Sequence, residues 1–128
     1  MTVEIRAARP GEVDGLRKIA SATKAYLLFA GTPEFIVAVL DGRLVGMSGL
    51  VRHGESARIK NLFVVPEVRG KGVGSMLLQA QLAHLKRVGV KRVEAAATDM
   101  SLRIFLAAGF TKTRSYSTST GVRLEMTP

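Results

Sequence analysis

A run of closely spaced glycines beside cationic side chains is the part of this 128-residue sequence best suited to chemistry. The segment Gly70-Lys-Gly-Val-Gly74 follows a strand-like apolar run that Pro66 ends, and it precedes apolar residues at helical spacing. Glycines let a chain bend sharply and expose its N–H groups with no Cβ in the way. The first turn of a helix adds unpaired N–H donors and the positive end of the helix dipole. The pattern therefore predicts a phosphate-binding loop.

The loop departs from two widespread phosphate-binding patterns. The P-loop requires a lysine directly before its closing serine or threonine, whereas Ser75 follows Gly74 at once. The dinucleotide fingerprint requires a further glycine at position 75 and a loop that directly follows its strand. Here residues 66–69 intervene. Neither nucleotide-binding class is therefore predicted.

The remaining constellation is a strand ending in Val64-Val-Pro66, followed by Arg69-x-x-Gly72-x-Gly74 at the mouth of a helix. It resembles the acetyl-CoA loop of the GCN5-related N-acetyltransferase (GNAT) family, whose loop N–H groups hold the cofactor pyrophosphate. The resemblance implies that Arg69 and Lys71 act as charge partners of a loop formed by Gly70, Lys71, Gly72, Val73, Gly74 and Ser75. It also implies that the central strand splays from its parallel neighbour, so that freed backbone groups of Leu62, Phe63 and Val64 bind the pantetheine arm and the carbonyl.

Hydrophobic periodicity predicts one α/β domain over residues 1–128, with a mixed β-sheet flanked by helices. This order is similar to the GNAT fold over nearly the whole chain. In that family the segment between the first two strands shapes the pocket for the amine that accepts the acetyl group. Here the segment between Ala8 and Phe35 is short, so the pocket is expected to be open or to be completed by a second subunit. The expected strands are Val3–Ala8, Phe35–Leu40, Leu44–Val51, Ala57–Val65, Val93–Thr98, Phe110–Ser117 and Val122–Met126, with helices from Pro10 to Ala30, from Val73 to Gly89 and from Asp99 or Met100 to Ala108.

The composition limits which ligands, metals and macromolecular partners the protein could bind. The absence of cysteine excludes disulfides and thiolate metal sites, and two histidines are too few to suggest a metal cluster. No apolar run reaches membrane-spanning length and the N-terminus is unlike a signal peptide, so a cytoplasmic protein is expected. The net charge of +9 suits a polyanionic cofactor or an acidic acceptor, but scattered cations and few aromatic residues disfavour nucleic acid. Sheet-edge pairing would allow a homodimer, which nothing in the sequence requires.

Proton transfer is where the sequence departs from the family. The family motif near the last helix reads Asn-x-x-Ala-x-x-Phe-Tyr-x-x-x-Gly-Phe, and its tyrosine protonates the leaving thiolate. Counting back from Gly109-Phe110 places that tyrosine at Phe105 and the asparagine at Thr98. Phe105 has no hydroxyl and cannot donate a proton, although its ring can still pack beside the sulfur arm of the cofactor. Tyr116, Ser101 and water are the open substitutes for the acid.

Glu94 is the best candidate for the general base, because it shares one face of a strand bordering the expected pocket with Ala96 and Thr98. An equally strong alternative is that Glu94 has no catalytic role and is a solvated carboxylate at the end of its strand, near Lys91 and Arg92. The resemblance implies an N-acetyltransferase that moves an acetyl group from acetyl-CoA to a small-molecule or protein amine. The missing tyrosine and the short acceptor region leave a second hypothesis, a catalytically weak acyl-CoA-binding module that regulates a partner protein.

Overall fold

A computed structural model describes residues 2–22, 34–97, 99–113 and 122–128, which form one mixed seven-stranded sheet with helices on its faces. The strands are β1 (Val3–Ala7), β2 (Glu34–Leu40), β3 (Arg43–His53), β4 (Ser56–Val64), β5 (Arg92–Ala97), β6 (Thr111–Lys112) and β7 (Val122–Met126). The helices are α1 (Glu12–Ala22), α2 (Val73–Arg87) and α3 (Asp99–Ala107), with a short 3-10 helix at Pro66–Val68. The sheet order is β1-β2-β3-β4-β5-β7-β6, and only β4 and β5 pair in parallel.

The two faces of the sheet are covered by different helices. The apolar side of α2 packs with Phe105 of α3 against alternate buried residues of β4 and β5, such as Ile59 and Val93. On the other face, Leu16 of α1 lies in one cluster with Met47 and Phe63. Since successive strand side chains point to opposite faces, the alternation of burial assigns Ser56–Lys60 of β4 and the positions of β5 to one face or the other.

Strands β2 and β3 form a hairpin, which the sequence Asp41-Gly42 between two apolar runs predicts. Asp41 and Gly42 both adopt positive φ, at 51° and 78°, as the tight two-residue turn of a hairpin requires. Asp-Gly is favoured there because glycine carries no Cβ and aspartate tolerates the left-handed region. The mixed sheet and the order of its elements thus confirm the fold expected from the sequence.

Some predicted boundaries differ or fall outside the described residues. The structure describes the first helix as Glu12–Ala22, so it begins two residues after Pro10, which lies in a turn with Gly11; the part of the predicted span beyond Ala22 lies outside the described residues. The predicted strand from Phe110 to Ser117 is described only as the short β6. Among the residues that the structure describes, no helix is long and apolar enough to cross a membrane.

An ion pair secures the start of α1 against β1. Arg6 donates two hydrogen bonds of 2.8 Å to the carboxylate of Glu12, which also accepts a bond from the Arg9 N–H. These contacts lower the pKa of Glu12 from 4.5 to about 2, with the Arg6 hydrogen bond as the largest cause. The carboxylate also lies in the first turn of α1, where the helix dipole favours negative charge.

We expect the stability that this carboxylate contributes to be present above pH 4.5 and lost as the pH falls toward about 2, because the folded-state pKa is depressed. Glu12→Gln should therefore unfold more easily than the parent near neutrality, and the difference should shrink steadily in acid. Urea midpoints of both proteins across this pH range test the expectation. A difference that is independent of pH would contradict it.

Candidate functional site

The parallel pair β4–β5 separates at the centre of the sheet. Its register runs from Ser56 opposite Arg92 to Ile59 opposite Ala95 and then ends, although β4 continues to Val64 and β5 to Ala97. Beyond Ile59 the inner edge of β4 therefore has no β5 partner. The predicted splay is present, and it opens a gap between two strands in the interior of the sheet.

A bulge in β4 lies at the start of this gap. The β3–β4 register shifts between Met47 and Gly49, and Asn61 adopts a φ of 57°. Asparagine is one of the few residues that tolerate this left-handed conformation, and an extra residue in one strand bends it away from its neighbour. Asn61 Nδ2 is buried and has no hydrogen-bond partner among the described residues. Asn61 was not identified from the sequence, where its only signal is a polar residue inside an apolar run.

Backbone direction decides which groups of β4 face the gap. The Val65 N–H donates to the Val45 carbonyl at 2.8 Å, and Phe63 stands opposite Met47 in the same antiparallel register. Because backbone groups point alternately to the two sides of a strand, those of Phe63 point toward β3. Those of Leu62 point into the gap. The expectation that Phe63 also offers free backbone groups is therefore wrong, since β3 already pairs with them.

The carbonyl of Val64 is also engaged. Arg69 Nε donates to the Val64 oxygen at 2.9 Å, and the Arg69 guanidinium carbon lies 5.6 Å from the centroid of the Phe63 ring. A guanidinium over an aromatic face is attracted by the ring quadrupole. Arg69 thus ties the glycine loop back onto the end of β4. Its role as a charge partner of phosphate stays a prediction, and Val64 keeps only its N–H for the gap.

The glycine loop and the N-terminus of α2 form a concave backbone surface. Gly70 and Gly72 have φ values of 81° and 83°, and a Cβ built on either would meet no atom within 4 Å. Gly72 caps α2 without any side-chain hydrogen bond, and the first turn contains no acidic residue. The Met76 N–H is the first to bond back into the helix, at 3.0 Å from the Gly72 oxygen. The preceding N–H groups therefore remain available to an anion.

The side chains of the loop divide by exposure. Lys71 and Ser75 are exposed, whereas Val73 is buried in the core, so Val73 can offer a ligand only its N–H. A Cβ on Gly74 would lie 2.6 Å from Ile104 Cδ1 on α3, so the Ile104 side chain would have to shift to admit a larger residue. The structure thus brings together the loop residues that the sequence predicted, and α3 holds the first turn of α2 in place.

Phe105 does not border the gap with an accessible ring. It is 1% exposed and packs edge-to-face on Phe110, with ring centroids 5.0 Å apart. Its cluster contains Leu78 and Leu124. The apolar core surrounds the Phe105 ring in this structure, and its contact with the sulfur end of a cofactor stays a prediction.

Glu94 is held by two arginines. Arg58 donates to it at 3.0 Å across the parallel pair, and Arg92 donates to its other oxygen. The pKa of Glu94 is lowered, chiefly by the Arg58 hydrogen bond. A carboxylate with a depressed pKa and two cationic partners is a weak proton acceptor. The surroundings of Glu94 argue against a general base and match the alternative of a strand-end carboxylate beside Arg92.

Of the other proton-transfer candidates, those among the described residues lie away from the gap or in other contacts. Ser101 is buried on α3. Glu55 forms an exposed ion pair with Lys91, with 3.6 Å between Oε2 and Nζ. Thr98 and Tyr116 lie outside the described residues. Among the described residues no group of His, Cys, Asp or Glu could hold a metal ion.

We expect Glu94→Gln to keep most of its turnover. Loss of a true general base costs about 100- to 10,000-fold, whereas loss of an exposed ion pair costs about 0.2–1 kcal/mol of stability. The measurement is kcat for thiol release from acetyl-CoA, with the urea midpoint recorded in parallel. A hundredfold loss of kcat at unchanged stability would restore Glu94 as the base.

Comparison with known proteins shows the family to which the chain belongs. The family model described as "Acetyltransferase (GNAT) domain" matches residues 7–126. The chain therefore belongs to the GNAT acetyltransferase family. No curated protein sequence matches it.

Solved structures share the fold at low sequence identity. A GNAT-family acetyltransferase from Staphylococcus aureus Mu50 is 14% identical with a TM-score of 0.82, covering 98% of this chain and 99% of that chain. The PaiA N-acetyltransferase from Thermoplasma acidophilum, in complex with coenzyme A, is 16% identical with a TM-score of 0.79 and complete coverage of both chains. N-acetylglutamate synthase from Neisseria gonorrhoeae, complexed with coenzyme A and L-arginine, is 22% identical with a TM-score of 0.74, covering 98% of this chain and 33% of that chain.

Proposed function

We propose that this protein is an N-acetyltransferase that moves an acetyl group from acetyl-CoA to a primary amine. One observation carries the proposal. The glycine loop and the N-terminus of α2, which can bind phosphate, directly follow β4, the strand whose free backbone groups border the gap and can bind a carbonyl. Family membership and the coenzyme A complexes of structural neighbours support an acyl donor of this kind. The proposal takes residues 1–128 as one cytoplasmic domain that does not act on nucleic acid.

The loop fits the phosphate groups of such a donor. Backbone N–H groups of residues 70–75 would hold the pyrophosphate, because Gly70 and Gly72 leave open space where a Cβ would otherwise project. The exposed Lys71 adds a positive charge beside them. Acetyl-CoA, when bound, supplies the activated carbonyl and the thiolate leaving group.

The gap supplies backbone donors for the transfer itself. The Leu62 N–H points into the gap and has no β5 partner, so it can donate to the oxygen that becomes negative when the amine attacks the carbonyl carbon. The C–N bond forms, the C–S bond breaks, and the proton lost by the amine balances the one gained by the thiolate. No described side chain is placed to carry either proton, so we assign both transfers to water.

A second candidate function is an acyl-CoA-binding module that regulates a partner protein without efficient turnover. Two observations favour it: the position of the family tyrosine is a buried Phe105, and the best carboxylate candidate, Glu94, is tied in ion pairs. The loop and the gap serve this function equally well. Binding alone therefore cannot separate the two candidates.

Thermal unfolding with and without acetyl-CoA, combined with thiol release over a panel of amines, tests both candidates. A ligand at 100 times its Kd should add about 2.7 kcal/mol of stability. Stabilisation with amine-dependent thiol release supports the enzyme, and stabilisation without turnover on any amine supports the binding module. Absence of any stabilisation would overturn both.

A further inference from the structure

The bulge of β4 lies at the closed end of the gap. The gap is open at the C-terminal ends of β4 and β5, and it closes at the last parallel pair, Ile59 with Ala95. Asn61 lies two residues beyond that pair and directly precedes Leu62, whose N–H points into the gap. The glycine loop follows the other end of this segment of β4. A ligand arm that is anchored at the loop and laid in the gap therefore ends beside Asn61 and Leu62.

The side-chain amide of Asn61 carries an unpaired donor. Asn61 Nδ2 is buried and bonds to no acceptor among the described residues, whereas the residue as a whole is only partly buried. A buried donor without an acceptor destabilises a fold, and native structures contain few such groups. A ligand in the gap that supplies the missing acceptor would account for this one.

The bulge is fastened by other polar groups. Ser48 lies opposite the bulge in the β3–β4 register and is completely buried. Gln81 reaches it from α2, where its Nε2 donates to the Ser48 backbone oxygen at 3.3 Å and lies 3.5 Å from the Ser48 Oγ. These contacts tie β3 to α2 beside the bulge without using Asn61. The Asn61 amide is therefore not explained by a role in holding the strands together.

The left-handed backbone at position 61 does not explain the amide either. In the described ranges, glycine occupies seven of the nine positions with positive φ, and the other two are Asp41 and Asn61. Asp41 lies in an exposed turn, whereas Asn61 carries a buried donor. Glycine at position 61 would adopt the same φ and would leave no unpaired group. The amide therefore points to a function of its own.

We propose that Asn61 is a catalytic residue whose Nδ2 donates a hydrogen bond to the thioester oxygen of acetyl-CoA, beside the Leu62 N–H. The inference rests on the proposed function, because it concerns the oxygen of the same acyl donor. Rotation of the amide about its side-chain bonds brings Nδ2 to that oxygen.

Two donors from consecutive residues then stabilise the charge of the transfer step. The thioester oxygen gains negative charge as the C–N bond forms, and its electron pair restores the carbonyl as the C–S bond breaks. Preorganised donors at such an oxygen lower the barrier because they bind the developed charge more strongly than the neutral carbonyl. Asn61 neither gains nor loses a proton, and both proton transfers stay with water.

The first test is Asn61→Gly, which removes the amide and keeps the left-handed φ. Loss of one donor of this kind lowers kcat about 100- to 1,000-fold, and KM for acetyl-CoA should not change. Asn61→Asp keeps the shape of the side chain and tolerates the same φ, but it replaces the donor with a carboxylate oxygen. It should lose at least as much kcat, because a carboxylate repels the developing negative charge. Asp41→Gly is the matched control, since Asp41 has a φ of 51° in an exposed turn, and it should keep the parent kcat. The parent kcat in Asn61→Gly, or a loss shared by Asp41→Gly, would overturn the inference.

An infrared measurement tests the hydrogen bond without turnover. The probe is acetyl-CoA isotopically labelled at the thioester carbonyl carbon, bound to the protein in the absence of an amine. A hydrogen bond to the oxygen lowers the stretching frequency of the carbonyl, so the band should lie lower in the parent and in Asp41→Gly than in Asn61→Gly. Equal bands in the parent and in Asn61→Gly would overturn the inference alone. Failure of acetyl-CoA to bind the parent would overturn the proposed function itself, and the two failures are thus distinct.

Discussion

Replacing Gly72 with alanine is expected to weaken acetyl-CoA binding at least tenfold, about 1.4 kcal/mol, while leaving a folded protein. Gly72 has a φ of 83°, where a Cβ costs about 1–2 kcal/mol of backbone strain. The new methyl group would contact no protein atom within 4 Å, so the fold tolerates it. It would, however, occupy the open space over the first N–H groups of α2, where a phosphate must approach closely. The measurements are the Kd for acetyl-CoA by calorimetry and the urea midpoint of the free protein.

Gly42→Ala is the matched control for this substitution. Gly42 has a φ of 78°, an added Cβ would likewise meet nothing within 4 Å, and the residue lies in the β2–β3 hairpin turn. The strain should lower stability by a similar amount, but the Kd should stay that of the parent. If binding is weakened equally in both variants, the cause is backbone strain from the added Cβ and not a contact at position 72. Normal binding by Gly72→Ala would place the phosphates elsewhere.

The loop and the main elements could be predicted because local chemistry determines them. Glycines before an apolar helical repeat define the start of α2, and Asp41-Gly42 defines a hairpin turn within two residues. The parallel neighbour of β4 follows from the connection through α2, since a parallel pair needs a crossover. These signals require no knowledge of how distant strands align.

The details of the site depend on register, which the sequence does not display. The left-handed Asn61 shifts the β3–β4 alignment, and this shift determines that Leu62, and not Phe63, directs its backbone into the gap. The ion pairs of Glu94 arise because β4 aligns Arg58 beside it. A one-residue change of alignment would reverse each assignment. The sequence therefore identified the correct strand and its residue Leu62. It also included Phe63, whose backbone groups pair with β3, and Glu94, a carboxylate that arginines already hold in ion pairs.

Within the described ranges, the site is rich in backbone donors and poor in titratable side chains. A lysine amine with a pKa near 10.4 must lose about 3 pK units at neutral pH, roughly 4 kcal/mol, whereas an α-amino group near pKa 8 loses about 1 unit, roughly 1.4 kcal/mol. With Glu94 held by arginines, the protein offers little help in removing that proton. Less basic amines are therefore favoured as acceptors.

We expect Phe105→Tyr to lower stability and to leave kcat unchanged, although it restores the residue type of the family's general acid. The ring is 1% exposed and packs on Phe110 inside an apolar cluster. A hydroxyl buried there without a partner costs about 1–3 kcal/mol. The measurements are the urea midpoint and kcat for thiol release with the best amine found. Phe110→Tyr is the matched control, since Phe110 is 3% exposed in the same cluster.

Comparison of the two tyrosine variants decides whether position 105 can reach the leaving thiolate. If the core surrounds both rings, both variants lose stability and neither gains activity, and the thiolate takes its proton from a group other than position 105. If Phe105→Tyr instead raises kcat about 100-fold or more while Phe110→Tyr does not, the gain is that of a positioned general acid. The ring at 105 must then turn out of the core when the acyl donor binds, and the protein would be an enzyme that lacks one hydroxyl group of the full family mechanism.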